Sequence, residues 1–172
     1  MIPMEVTADD IAARFGLVPL PAEGGLYRRT WAGAVSAGRP AGSAILVLLT
    51  EGDGFSAMHR LPVDEVWHRY LGDPVELLLL GSDGRVEVLG PDVLDGQHVQ
   101  FTVPAGTWMG ARVRPGGKWA LCGTTMAPGF VPSDYSGGDP EVLALAYPRH
   151  ADLIRALSRT GAPTAMPPGV DS

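Results

Sequence analysis

Gly54 to Gly72 reads GFSAMHRLPVDEVWHRYLG and decides how the rest of the chain is read. Two of the four His residues fall here, with Asp64, Glu65, Trp67 and Tyr70, between bounding glycines. Ser56–Arg60 and Glu65–Leu71 each suit a strand, with a turn over Leu61–Asp64. A second cluster, VPAGTWMG, follows at Val103–Gly110. Together they read as two strand–turn motifs lining one cavity of a small β-barrel.

Working outward, short period-2 segments recur at Leu26–Trp31, Ala44–Thr50, Val75–Leu80, Val86–Leu89, Val99–Val103, Thr107–Val113 and Trp119–Met126. Turn residues punctuate them: GDG at 52–54, GDP at 72–74, GSDG at 81–84 and PGG at 115–117. Such spacing predicts an all-β sandwich or barrel. At the N-terminus VTADDIAARFG predicts a helix, with Thr7 as N-cap, Asp9 and Asp10 at its positive end and Gly16 as the stop. Asp139-Pro140 predicts a second helix that Pro148 ends, and HADLIRALSR a further turn or two. The organisation expected is an N-terminal helix over 1–16, a barrel over 17–148, and a C-terminal helix with a disordered Pro/Gly-rich tail over 149–172.

The chain has 172 residues, which suits one domain. Its net charge of −6 argues against nucleic acid and against an anionic membrane surface. The one Cys, Cys122, excludes an intramolecular disulfide and sits in an apolar run, as a buried inert thiol does. No signal-peptide pattern opens the sequence and no apolar run is long enough to span a bilayer, so a cytoplasmic location is expected.

The 54–72 stretch resembles the first motif of the cupin superfamily, with His59, Glu65 and Gly72 in place. Leu61 stands where that motif has a second His, and the gap from Gly54 to His59 is one residue short. Pro104-Ala105-Gly106 resembles the second motif, with Met109 at its His position. The resemblance is sharper to the small single-domain cupins of unknown function, related in fold to the sugar epimerase of the rhamnose pathway. It rests on Glu23-Gly24-Gly25-Leu26-Tyr27-Arg28, His59 to His68, Gly72-Asp73-Pro74, Val103 to Trp108, and Ala127-Pro128-Gly129-Phe130, in that order. Two departures stand out: Leu20 replaces a His with one residue inserted before Glu23, and Met109 replaces a Gln. Both remove polar groups, so a more apolar ligand or a different reaction is expected.

The resemblance implies an all-β double-stranded β-helix, the jelly-roll cupin barrel, with short N- and C-terminal helices, and a homodimer. By fold analogy with the epimerase, His59 is the candidate base, Tyr27 the acid (with Tyr70 behind it), and Glu65 the group that orients the imidazole. The substrate-binding candidates are Glu23, Arg28, Arg60, Trp67, His68, Trp108, Met109 and Phe130. Arg28 and Arg60 suit a carboxylate or phosphate, or a surface ion pair. Trp67 and Trp108 suit a flat apolar wall, or simply the core.

A divalent Fe, Mn or Zn needs three or four converging His or carboxylate ligands. His59 and Glu65 supply two, and His68, three residues on, faces the other way in a regular strand unless a bulge recruits it. No cofactor is therefore favoured. The leading reading is a metal-independent epimerase, isomerase, cyclase or lyase acting on a small molecule. A dioxygenase-like metal enzyme and a non-catalytic small-molecule binder stand as alternatives.

Overall fold

A computed structural model describes residues 4–171. In chain order the regular elements are α1 (Ala8–Phe15), β1 (Val18–Pro19), β2 (Leu26–Ala32), β3 (Val35–Ser36), β4 (Arg39–Pro40), β5 (Ser43–Thr50), β6 (Ser56–Arg60), β7 (Glu65–Gly72), β8 (Val75–Leu80), β9 (Gly84–Leu89), β10 (Gln100–Val103), β11 (Trp108–Val113), β12 (Trp119–Met126), β13 (Ser136–Gly137), α2 (Pro140–Ala146) and α3 (Ala151–Ala156). One sheet runs β1-β2-β5-β12-β7-β10, a second β13-β6-β11-β8-β9, β3 and β4 pair in a small third, and the pairings within all of them are antiparallel. With its cupin-like motifs in place, this is the expected jelly roll.

Alternation along the strands sorts side chains between the barrel interior and the outer faces. Ile45, Val47 and Leu49 of β5, Val75, Leu77 and Leu79 of β8, and Met109, Ala111 and Val113 of β11 form the inner core with Trp67. Their neighbours Leu48 and Leu121 pack outward against Ile11 and Leu17, so α1 and the residue after its cap cover the first sheet. Leu78 and Leu80 pack outward with Leu143, Ile154 and Leu157 of the C-terminal helical region over the second.

The terminal helices carry the predicted signals. Thr7 and Asp10 form a capping box, and Gly16 closes α1 in the left-handed conformation. Asp139 caps α2 through its carboxylate. The short β1, β3, β4 and β13 were not expected, because two-residue strands leave no periodicity to read.

Residues 159–171 cross back over the barrel, with Met166 only 5% exposed inside the inner core cluster. Pro163, Pro167 and Pro168 lower the entropy gained by release of this segment. One buried Met with a few polar anchors is enough to hold this segment.

Gly72 ends β7 at φ +86°, and a Cβ there would run into the Trp119 carbonyl and ring. Gly72→Ala is expected to cost about 2 kcal/mol or more in urea denaturation, from the left-handed penalty and the clash.

Candidate active site

The polar side chains buried among the described residues are Ser43, Ser56, His59, Glu65 and Thr124. They gather in one region of an otherwise apolar barrel, around the nearly buried carboxylate of Glu23. Ser56 Oγ donates to Glu23 Oε1 at 2.7 Å, and His59 Nε2 lies 3.7 Å from the same oxygen. Glu23, Ser43, Glu65 and Thr124 line a small cavity with Ile45, Leu61, Met126 and Phe130. Its volume of about 10 Å³ is room for roughly one water.

Local structure explains how these groups meet. Met109 pairs with His59 and Ala111 with Ser56, so two steps on β11 oppose three on β6. That bulge lets Ser56 and His59, an odd number of residues apart, both turn to Glu23. Glu23 follows a tight turn in which Gly24 N–H donates to the Leu20 carbonyl and Leu20 N–H to the Gly25 carbonyl. Ala22 takes φ +63° in this turn, a left-handed conformation unusual for alanine. The Glu23 carbonyl accepts from Ala57 N–H and from Arg159, which fixes the backbone beneath the carboxylate. Glu65 and Trp67 take alternate positions on β7, opposite Met126 and Thr124 of β12.

Hydrogen bonding sets the protonation pattern of His59. Its Nδ1 lies 2.7 Å from the Ala57 carbonyl, which can only accept, so Nδ1 carries a hydrogen. In the neutral ring the lone pair is then on Nε2, which is buried and has no hydrogen-bond partner in the protein. Tyr135 stacks on the imidazole at 5.3 Å between ring centroids. Glu65 Oε1 is likewise buried without a partner. Burial and the neighbouring Glu23 charge push Glu65 up to about 7, against the opposing pull of His59, Trp67 and Thr124. An unshared basic nitrogen and a carboxyl that keeps its proton near neutral pH thus occupy one interior. Such a pair can take a proton at one atom and supply one at another.

The other expected residues divide between inside and outside. Tyr27 is buried, but its hydroxyl donates to Asp171 Oδ1 at 3.0 Å, and burial followed by that carboxylate raises its pKa. Met109, Leu61 and Phe130 are interior, as is Trp67, whose Nε1 has no partner. Trp108 is on the opposite face of β11 from Met109 and packs with the outer cluster, so no wall forms with Trp67. Arg60 is exposed and lies over the Trp108 ring at 4.6 Å. Arg28 is turned outward to the Phe15 carbonyl. His68 also faces out, bonded to Thr125 Oγ1 at 3.0 Å and stacked with Tyr70, because β7 stays regular between Glu65 and His68. Trp108, Arg60 and Arg28, read as substrate-binding candidates, thus lie away from the Glu23 and Glu65 spot, and His68 faces away from Glu65 as a regular strand requires, with no bulge to recruit it. Tyr135 and Ser56 were not anticipated. Tyr135 arrives from far along the chain, while the odd spacing of Ser56 and His59 hid the bulge. Cys122 is buried, and burial pushes its thiol up to about 12, which keeps it inert.

Leu61 and Met109 fill two of the four ligand positions with apolar groups. Among the described residues no group of three His, Cys, Asp or Glu side chains is arranged to hold an ion.

The buried Glu65 gives a stability signature. Its proton is held to about 7 in the folded state against 4.5 for the free side chain, so stability falls as pH rises from 4.5 to 7. Glu65→Gln removes that loss. Relative to the unsubstituted protein, the variant is expected to gain up to ~3 kcal/mol between pH 4.5 and 8 in paired denaturant melts. A pH-independent difference would refute the buried, proton-retaining carboxyl.

Residues 9–137 match the family model described as Cupin superfamily (DUF985). No curated protein matches the chain. A crystal structure from Shewanella oneidensis is 31% identical, with a TM-score of 0.81 over 90% of this chain and 99% of that one. A hypothetical protein from Leishmania major is 29% identical, with a TM-score of 0.79 over 89% and 99%. Bacillus subtilis oxalate decarboxylase, described with Mn(II) centres, shares only the fold: 12% identity and a TM-score of 0.52 over 89% of this chain and 40% of that one. With three quarters of its length inside one family model and the jelly roll in place, the chain belongs to the DUF985 family of the cupin superfamily.

Proposed function

We propose that the chain is a metal-independent enzyme that moves a proton on a small organic molecule, in the class of epimerases, isomerases, cyclases and lyases. The observation that carries this reading is the pair of buried, unpartnered atoms, His59 Nε2 and Glu65 Oε1, at one polar spot in an apolar barrel.

In the simplest reaction His59 Nε2 removes a proton from a carbon beside a carbonyl. The electron pair passes to the carbonyl oxygen, where Glu65 supplies its proton, and a neutral enol results. For epimerisation the enol turns in the pocket and returns that proton to Glu65 as His59 reprotonates the opposite face of the same carbon; for isomerisation of a hydroxycarbonyl, the hydroxyl on the deprotonated carbon gives its proton to Glu65 instead, while His59 protonates the former carbonyl carbon. Glu23, held by Ser56, stabilises the imidazolium in between. Tyr135 fixes the imidazole plane. Tyr27 is left a supporting role, since Asp171 takes its hydroxyl.

The charges also bear on the substrate. The two arginines nearest these carboxylates are turned to backbone carbonyls: Arg159 donates to those of Glu23, Asp53 and Phe55, and Arg69, on the same β7 face as Glu65, to that of Gly72. A neutral or cationic molecule suits these acceptors better than a carboxylate or phosphate. The dioxygenase-like alternative loses support from Leu61 and Met109.

The test is wash-in of solvent deuterium to a panel of small hydroxyketones and keto sugars, followed by NMR. Exchange is expected to survive chelation and to fall about 10²-fold or more in His59→Ala. Exchange that disappears with chelation, or that His59→Ala leaves intact, overturns the reading. Elemental analysis of the purified protein is expected to give well under one Fe, Mn or Zn per chain, unchanged in Glu65→Gln.

A further inference from the structure

The small chamber at Glu23 and Glu65 has no room for an organic molecule in this conformation. Something must move before a substrate reaches His59, and the tail is the element built to do so. It lies outside the residues matched by the family model, which end at 137. Thr164 O accepts from Gly137 N–H, and Gly137 is the register partner of His59. At the far end Asp171 accepts from the Tyr27 hydroxyl and lies 3.5 Å from Arg29. Between these two anchors Met166 is buried in the inner cluster that holds Tyr27, Tyr135 and Trp67, with Val170 packed against it. The tail therefore bridges from the strand beside the base to the strand that bears Tyr27.

Its attachment is graded. Arg159 is anchored firmly, giving hydrogen bonds to the carbonyls of Glu23, Asp53 and Phe55 and lying over the Phe55 ring. Beyond Arg159 the polar ties are few and partly exposed, and no helix or strand stiffens the segment. Gly161 and Gly169, both in the left-handed conformation, bracket it as points of easy rotation. A segment with one buried side chain and few backbone bonds opens at much lower free energy than the barrel beneath it.

We propose that residues 161–169 form a displaceable plug, pivoting at Arg159 and latched at Asp171, whose opening withdraws Met166 and admits small molecules to His59. The proposal rests on the preceding reading only in taking His59 as the group to be reached.

The test locks the plug. A Cβ on Gly137 would lie 3.3 Å from Thr164 Cβ and 2.8 Å from Thr164 Cα, so the exposed tail backbone must shift outward by about half an ångström or more for the disulfide to close. In full-length Gly137→Cys/Thr164→Cys, diethyl pyrocarbonate modification of His59 is followed by mass spectrometry, with His68, His98 and His150 as internal standards. Oxidation is expected to slow His59 modification at least tenfold relative to the reduced form of the same protein. Asp171→Ala, which removes the latch, is expected to speed it several-fold. Equal His59 rates in the oxidised, reduced and Asp171→Ala proteins, whether all fast or all negligible, overturn the plug. No turnover is measured, so this result is independent of whether the proton-transfer reading stands.

Discussion

A carboxylate that must be kept inside an apolar barrel governs the arrangement of this molecule. Glu23 is nearly buried, and a buried charge is tolerated only where hydrogen bonds and partners surround it. Ser56 supplies the hydrogen bond, His59 the polar neighbour, and Arg159 with Ala57 N–H the fixed backbone below. The unusual turn at Ala22 and the bulge in β6 both serve that placement. Glu65, buried in the same interior, is pushed up first by its burial and then by the Glu23 charge.

Much of the scaffold was legible in the sequence. Thr7, Gly16 and Asp139 announce helix ends because capping is local chemistry. The long strands appear with nearly their observed limits because alternation and turn residues are also local. What escaped is long-range. Tyr135 reaches His59 only because the chain returns as β13 beside β6, and no spacing in the sequence encodes that return. The tail was read by composition, which does not register the single buried Met that holds it.

The candidate site was legible in its members more than in their partners. His59 and Glu65 were found by motif, and Glu23 by the Glu-Gly-Gly segment, yet their gathering around one polar spot depends on the bulge. Alternation also carried information that the expected residue set ignored. Trp108 and Met109 are consecutive in one strand, so only one of them can face inward. The same rule sends His68 outward from Glu65, and β7 keeps to it there. With Leu61 and Met109 apolar, two positions that hold His in the superfamily motifs have become part of the inner wall.

The β6 bulge has an evolutionary consequence. In most strands a lost or gained residue can be absorbed by a neighbouring loop, and the surface turn at Gly81–Gly84 has that freedom. Between Ser56 and His59 length and pleat are tied together: with one residue fewer, the even spacing would let a regular strand turn both side chains to Glu23 without a bulge, whereas at the present odd spacing the bulge is required. A change of length in this four-residue interval should therefore appear across the lineage only together with loss of the bulge, making the pairing of interval length and bulge the heritable mark of the site.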